Sequence, residues 1–464
     1  MAKHDLVVVV PGIMGSTLER DRIPVWSTSA RSIIRAITSF GRHVKALQLP
    51  DGIGDDHPGD GIEAGALLQD LHVIPGVWTP VRGYDVLVNR LERIGFRRVS
   101  ADPAAPPGNL LLFPYDWRLS NRYNGGQLAK QVECALDQWR GQGGEYAEAK
   151  VCFVCHSMGG LVARWYIASC GADVTRKLIT LGTPYRGAAR AVDQLVHGVH
   201  KGLGPLSIDL SDFARSLPST YQLLPSYACL AGAAGLTQLS AATALPELDG
   251  SRLDDAMLFH KQLEDREGSD AASGSRRHAI TGSKQRTATT VEFSNGVIRL
   301  LDTYDGDDLA GDGTVPAVAG PAGVPLDDNS IHHIADKHGN LQCNPAVLDE
   351  IEAILLAKPI VPKAPAAPVD LRVDVPELLI ESEELVVAVT APRGARAVKV
   401  IVRNEAGVER VQIPRRTWAH GDQLTTNFGT LPAGGYTVTA TGRSPGMANP
   451  VTSELIVWPR TVEY

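Results

Sequence analysis

A serine that could act as a nucleophile lies between a short apolar run and a helical pattern. Residues 151–156 read VCFVCH, residues 157–160 read SMGG, and apolar residues then recur at helical spacing from Leu161. A serine on such a strand-to-helix turn exposes its hydroxyl, and the N-terminus of the helix stabilises negative charge beside it. The tight turn needs small residues two before and two after the serine, where Cys155 and Gly159 stand. The pattern, although its first glycine is replaced by cysteine, favours acyl transfer through Ser157.

Acyl transfer by a serine also needs a carboxylate and a base, and in this arrangement they follow in the order Asp, His. Asp312 is the preferred acid, because its sequence GDGTVP follows the predicted strand Val297–Leu301. His338 is the preferred base, because it lies on a loop before a predicted helix over 347–356. Several neighbours remain as alternatives, namely Asp305, Asp307, Asp308, His332 and His333.

Each of these residues also has an ordinary structural explanation. An aspartate in a turn commonly bonds to its own backbone, and a loop histidine is commonly just solvated. The acidic run is not an EF-hand, because the twelfth residue counted from Asp305 is Pro316, not glutamate. The predicted chemistry requires neither a metal ion nor an organic cofactor.

The same chemistry requires backbone N–H donors where negative charge develops on the substrate oxygen. One such donor is the residue after the nucleophile, Met158, and the other comes from a loop after an early strand. The run Leu6–Val10 ends in Pro11-Gly12, and glycine frees the backbone to turn and expose an N–H. Ile13 is therefore the second predicted donor.

Strand-like and helix-like patterns alternate over roughly the first 355 residues. Strands are predicted over 6–10, 110–113, 151–155, 177–181, 279–282 and 297–301, and helices over 84–94, 128–139, 160–168 and 347–356. Buried strands that alternate with helices indicate a mostly parallel sheet covered on both faces. Two stretches, about 26–80 and 188–277, interrupt this alternation and are predicted to be insertions above the strand ends.

The chain is predicted to have two domains joined by a linker. Four prolines lie within residues 357–368, which favours an extended spacer between a domain over 1–356 and another over 369–464. The second domain contains short β-rich runs over 385–390, 398–403, 436–441 and 455–458, separated by turn sequences. This pattern predicts an antiparallel sandwich of immunoglobulin-like type.

Composition excludes several classes of protein. The chain has 464 residues, of which 44% are hydrophobic and 21% charged, and a formal net charge of -7, so a nucleic-acid partner is not expected. No apolar run is long enough to cross a bilayer, and the N-terminus lacks the pattern of a signal peptide. Six scattered cysteines do not suggest a disulfide framework. A cytoplasmic location with free thiols is expected.

Six segments together resemble the lecithin:cholesterol acyltransferase-like family of α/β-hydrolases, which includes lysosomal phospholipases and bacterial lipases and esterases. They are VPGIMGS (10–16), FPYDWR (113–118), CHSMGG (155–160), LGTPYRG (181–187), LPSTYQLLP (217–225) and GDGTVP (311–316). The resemblance implies Ser157, Asp312 and His338 as the triad, and Ile13 and Met158 as the oxyanion donors. It also implies that Asp116, Trp117 and Arg118 form a structural signature. The C-terminal domain lies outside the resemblance.

In this family the insertions form a lipid-binding subdomain and a lid, which implies a lipid or other ester substrate. Within residues 26–80, Ile33, Ile34 and Ile37 lie on one face of a predicted helix with basic neighbours, which suits peripheral contact with a membrane. Trp26 and Trp78 are candidates to line an acyl groove. For each of these residues, packing against the core of the protein is the competing explanation.

The function expected from sequence is hydrolysis of carboxylic esters of lipids through an acyl-enzyme on Ser157. Transfer of the acyl group to an alcohol is an alternative, which would make the protein an acyltransferase. A second alternative is a catalytically silent hydrolase fold whose C-terminal domain binds a protein or glycan partner.

Overall fold

The structure is a computed structural model. It describes residues 4–26, 47–69, 81–100, 102, 104–198, 200–201, 208–232, 234–240, 245, 247–270, 276–357, 370–391, 398–416, 422–442 and 448–460. Residues 358–368 of the predicted Pro-rich linker, Trp78 and the isoleucines of the predicted amphipathic helix lie outside the described residues. In the described part of the chain, no helix is long and apolar enough to cross a membrane.

A six-stranded parallel sheet forms the centre of the larger domain. Its strands are β1 (Leu6–Val10), β2 (Leu110–Leu112), β3 (Val151–His156), β4 (Thr175–Leu181), β5 (Arg277–Gly282) and β6 (Ile331–Ile334). They lie in the order β6-β5-β4-β3-β1-β2, and every neighbouring pair is parallel. The carboxyl ends of all six strands therefore lie at one edge, where loops can meet.

Helices cover both faces of this sheet, as predicted. The described α-helices are α1 (Asp85–Arg93), α2 (Asn121–Arg140), α3 (Gly159–Tyr166), α4 (Ala189–Val196), α5 (Ser211–Ser216), α6 (Pro218–Tyr221), α7 (Gly250–Ser269) and α8 (Pro345–Leu356). Alternate residues of β1 enter opposite cores: Val8 packs with residues of α2 and α3, whereas Val7 packs with residues of α1 and α8. This alternation is why β1 is apolar throughout.

One predicted strand of the larger domain belongs elsewhere. Val297–Leu301 is a strand, but it pairs antiparallel with Thr290–Ser294 in a separate four-stranded sheet with Leu230–Gly232 and Gly235–Thr237. The loop that carries Asp312 follows this small sheet in sequence but lies over the end of β5, where a Cβ on Gly282 would approach the Asp312 Cβ to 2.3 Å. Three further strands, Ser16–Arg20, Ile23–Trp26 and Ile62–Leu67, form another, antiparallel sheet.

The C-terminal part consists of two mainly antiparallel sheets around a separate apolar core. One sheet contains β7 (Arg372–Asp374), β9 (Glu384–Thr390), β12 (Arg415–Arg416) and β13 (Gln423–Thr430). The other contains β8 (Leu378–Ile380), β10 (Val398–Asn404), β11 (Glu409–Gln412), β14 (Gly434–Gly442) and β15 (Val451–Trp458). All four predicted β-rich runs are strands, and the architecture is an α/β domain followed by an all-β domain.

Candidate active site

Ser157 lies on a tight turn between β3 and α3. Its backbone φ is +53°, a left-handed conformation that non-glycine residues rarely adopt. Gly159 and Gly160 let the start of α3 approach the segments after β1 and β4: a Cβ on Gly159 would lie 2.3 Å from the Pro11 carbonyl oxygen, and one on Gly160 would lie 2.1 Å from Thr183 Oγ1. Cys155 is fully buried in β3, so a small side chain suffices at the position where the usual motif has glycine.

The structure brings together the three side chains selected from the sequence. Ser157 Oγ lies 2.8 Å from His338 Nε2, and His338 Nδ1 lies 2.7 Å from Asp312 Oδ2. The acceptor character of the carboxylate assigns the proton of His338 to Nδ1, so Nε2 is free to accept the proton of the serine hydroxyl. All three residues are less than 8% exposed.

Asp312 uses its two carboxylate oxygens for different purposes. Oδ1 accepts hydrogen bonds from the backbone N–H groups of Thr314 (2.9 Å) and Val315 (2.6 Å), while Oδ2 faces His338. The backbone N–H of His338 also donates to the Asp312 carbonyl, at 2.9 Å. Asp312 is therefore both a turn aspartate that bonds to nearby backbone and the carboxylate that faces His338. The turn fixes the carboxylate that orients the histidine.

Gly182, in the segment LGTPYRG, lies beside the Asp312–His338 hydrogen bond. It has φ +59°, and a Cβ at this position would lie 3.0 Å from both Asp312 Oδ2 and His338 Nδ1. The residue therefore has two independent reasons to be glycine, its backbone conformation and the space it leaves for the two side chains.

The alternative histidines and aspartates make other contacts. On β6, His332 forms an ion pair with Glu350, which raises the pKa of His332. The ring of His333 lies 3.0 Å from Thr281 Oγ1 and 2.8 Å from the Leu326 carbonyl. Asp308 pairs with Arg372, while Asp305 and Asp307 lie in the turn that follows Tyr304. None of these contacts involves Ser157.

Both predicted oxyanion donors lie at this site. Met158 is the residue before α3, and Ile13 lines the cavity into which Ser157 opens. Among the described residues, neither backbone N–H has an intramolecular acceptor. Gly12, the residue before Ile13, is packed against the nucleophile: a Cβ there would lie 2.9 Å from the Ser157 Cβ.

A buried chain of hydrogen bonds joins the Ile13 loop to the His338 loop, and sequence reasoning did not find it. The N–H of Gly12 donates to Tyr84 Oη (2.8 Å), which lies 2.9 Å from His156 Nδ1, and His156 Nε2 lies 3.0 Å from the His338 carbonyl. Burial, together with repulsion from His338, lowers the pKa of His156 to about 3, so the ring is neutral. Because a carbonyl only accepts, Nε2 carries the proton and Tyr84 donates to Nδ1.

The segment FPYDWR supports the same loop from its other side. Tyr115 Oη donates to the Pro11 carbonyl at 3.0 Å, and Trp117 Nε1 donates to the Ser16 carbonyl at 3.3 Å. Arg118 is fully buried; it bonds both Asp116 oxygens and also Asp60 Oδ2, the last at 2.8 Å. These contacts agree with the structural role that the resemblance implies for the segment.

A mostly apolar cavity adjoins Ser157. Its apolar lining residues are Ile13, Val81, Pro184, Ala188, Leu223 and Val315. Trp26, a candidate for an acyl groove, is not among them: it is buried edge-on against Trp117 in the core, as the packing alternative predicts. The other candidates for lipid contact, Ile33, Ile34, Ile37 and Trp78, lie outside the described residues.

Comparison with known proteins points to one family. Residues 78–247 match the family model described as lecithin:cholesterol acyltransferase. No curated protein matches the chain. Similar solved structures include a chain of the Tle4–Tli4 complex (16% identity, 72% of this chain and 92% of that one, TM-score 0.45). CopC from Methylosinus trichosporium OB3b is also similar, with 18% identity over 20% of this chain and 91% of that one and a TM-score of 0.17.

The family match supports lipid ester hydrolysis or acyl transfer as the general class of activity. It agrees with the parallel sheet covered by helices and with the serine on the turn after β3. Over residues 78–247 the chain is therefore similar to the lecithin:cholesterol acyltransferase family, and its α/β domain is followed by an all-β domain.

Proposed function

We propose that the protein is a serine hydrolase that cleaves carboxylic esters of lipids. The observation that carries this proposal is the continuous hydrogen-bonded arrangement from Ser157 Oγ through His338 to Asp312, with distances of 2.8 and 2.7 Å. A serine, an oriented imidazole and a buried carboxylate are the groups that acyl transfer needs.

In the proposed mechanism, Ser157 Oγ attacks the ester carbonyl while His338 Nε2 takes its proton. Asp312 stabilises the imidazolium that forms, and the N–H groups of Ile13 and Met158 bind the oxyanion. His338 then protonates the leaving alcohol, which leaves an acyl-enzyme on Ser157. Water, activated by the same histidine, attacks the acyl carbonyl and releases the carboxylic acid.

The substrate class is supported by the cavity beside the nucleophile. Its apolar side chains can bury a hydrocarbon chain, at a gain of about 0.8 kcal/mol for each CH₂ group removed from water. The resemblance adds lipid-binding insertions over about 26–80 and 188–277, which we propose form the cap and the surface for peripheral membrane contact. An alcohol could take the place of water as acceptor, and the same residues would then perform acyl transfer.

The proposal is tested by incubating the wild type and Ser157→Ala with mixed phospholipid vesicles and with short-chain ester reporters, followed by mass spectrometry. Serine-dependent release of fatty acid from phospholipid is the expected result. New acyl esters of an added alcohol would indicate acyl transfer instead. Turnover of short esters alone would reject the lipid substrate.

A fluorophosphonate probe separates a working hydrolase from a silent one. We expect covalent labelling of Ser157 in the wild type and none in Ser157→Ala. Absence of labelling, together with absence of turnover on both substrates, would reject the proposed function and favour a binding protein that acts through its C-terminal domain.

A further inference from the structure

The C-terminal β domain contacts both loops that carry the candidate acid and base. We propose that this domain positions the triad, acting on the His338 segment through Asp336 and on the Asp312 loop through Gln285. The inference rests on the proposed function, since it concerns the same site, and it gives a role to a domain that the family resemblance leaves unexplained.

Asp336 holds the segment around His338. Its carboxylate is fully buried and accepts four hydrogen bonds. Three come from the segment itself: the Lys337 backbone N–H (2.9 Å) and the side-chain amides of Asn340 (2.6 Å) and Asn344 (2.7 Å). The fourth comes from the backbone N–H of Thr452 in β15, at 2.9 Å. Asp336 thus joins the histidine segment to the C-terminal domain at one carboxylate.

The edge of β15 explains why this contact exists. On one side β15 pairs with β14 along most of its length, but on the other side β8 pairs only with residues 456–458. The N–H of Thr452 is therefore left without a strand partner on that side, and a buried N–H must find an acceptor. Asp336 supplies that acceptor.

Gln285 makes the corresponding connection to the acid loop. Its backbone N–H and carbonyl both bond to Gly311, the residue before Asp312, at 3.0 and 3.1 Å. Its side chain is fully buried: Nε2 donates to the Leu371 carbonyl (2.9 Å) and Oε1 accepts from the Val373 N–H (3.1 Å). The amide pairs with the backbone beside β7 as a neighbouring strand would, so a shift of β7 is transmitted to Gly311.

Two ion pairs cross the same interface. Arg372, in β7, lies 2.9 Å from Asp308 of the acid loop, and Arg190 of α4 lies 2.8 Å from Glu377. Lys337, next to His338, is half-buried, and desolvation lowers its pKa, while the nearby carboxylates Glu377 and Asp374 oppose that shift. These ion pairs are partly exposed to solvent, so the buried polar contacts of the interface are those of Asp336 and Gln285.

Positioning matters because proton transfer from Ser157 requires His338 Nε2 within hydrogen-bond reach. A misplacement of about 1 Å can cost about 100-fold in rate. Asp336 and Gln285 touch neither the serine nor the substrate cavity, so they are positioning residues and act through His338 and Asp312.

The test uses full-length Asp336→Ala and Gln285→Leu, with Tyr436→Phe as a matched control. Tyr436 Oη donates to the Pro432 carbonyl at 2.8 Å inside the C-terminal domain, so the control loses a hydrogen bond of that domain without contact to either loop. We expect kcat and the rate of fluorophosphonate labelling to fall about 10- to 100-fold in the two test variants, with KM within twofold of the wild type. The control should stay within twofold in both quantities.

Gln285→Glu gives a readout that a purely structural role would not produce. An ionised carboxylate can accept from the Val373 N–H but repels the Leu371 carbonyl, whereas a protonated one can donate to it. We therefore expect kcat of this variant, divided by that of the wild type at each pH, to rise as the pH falls from about 8 to 5. A ratio that does not change with pH would contradict the role of Gln285.

The outcomes separate the two proposals. If the wild type turns over substrate and kcat is unchanged in both Asp336→Ala and Gln285→Leu, the positioning role is rejected and the proposed function stands. If the wild type itself shows neither labelling nor turnover, both proposals are rejected. If Asp336→Ala does not fold, Gln285→Leu and the pH ratio of Gln285→Glu still decide.

Discussion

Removal of the Tyr84 hydroxyl tests the buried chain that joins the two loops of the site. In Tyr84→Phe, the Gly12 N–H loses its acceptor and His156 Nδ1 loses its donor, and both atoms lie where water is excluded. A buried polar group without a partner costs about 1–3 kcal/mol, so two of them lower the free energy of unfolding by about 2–6 kcal/mol.

The same change should reduce the rate. Gly12 precedes Ile13, and complete loss of an oxyanion donor costs about 100- to 1,000-fold in kcat. In Tyr84→Phe the donor is displaced, not removed, so we expect about a tenfold decrease in kcat with little change in KM. The neutral state of His156 keeps the chain intact across the working range, because its pKa is lowered to about 3.

Chemical denaturation and ester kinetics measure these effects, with Tyr227→Phe as the control. Tyr227 is equally buried and its hydroxyl donates to the Thr289 carbonyl at 2.9 Å. The Ala189 N–H also donates to this hydroxyl, so Tyr227→Phe leaves two buried groups unpaired as Tyr84→Phe does; it should cost a similar amount of stability and leave kcat unchanged. The reasoning is refuted if both variants lose similar stability and neither loses kcat.

Three further substitutions have distinct expected outcomes. Gly182→Ala places a methyl group 3.0 Å from both atoms of the Asp312–His338 bond, so we expect kcat to fall at least 100-fold in a folded protein, and near-normal turnover would contradict the geometry. Burial raises the pKa of Glu454 to about 8. Between about pH 4.5 and 8 this side chain is therefore protonated in the folded state but ionised in the unfolded state, so its contribution to the free energy of unfolding is lost as the pH rises through this range. Glu454→Gln should therefore be stabilised relative to the wild type increasingly from pH 5 to 8 in denaturation experiments, and a pH-independent difference would contradict the raised pKa. Arg118→Lys replaces the planar guanidinium, which bonds to Asp116 and Asp60, by a compact ammonium group. It should lower the denaturant midpoint of unfolding, while labelling of Ser157 persists in the folded fraction.

The candidate site could be predicted where its residues carry a local signal. Ser157 stands between a recognisable strand and helix, and Asp312 and His338 follow in the required order. Tyr84 and Gln285 carry no such signal, because each is a single polar residue whose partners lie 72 and 86 residues away in the chain. Their roles depend on tertiary contacts that periodicity does not contain.

The fold, like the candidate site, was predictable where the sequence carries a local signal. Long apolar strands such as Leu6–Val10 were predicted at their observed positions, and helix α8 within two residues. Strand β6 was missed, because it has four residues of which two are histidines. Val297–Leu301 was predicted as a strand, but an apolar run does not reveal its partner, and the structure pairs it outside the central sheet.

The bond between Asp336 and Thr452 has a consequence for the order of events during synthesis. The two residues are 116 positions apart, so the segment that carries His338 leaves the ribosome well before the strand that holds it. Domains generally fold in the order in which they emerge. On the proposed function, the nascent α/β domain would lack this anchor of His338, and ester cleavage should be slow until the β domain has been translated and docked.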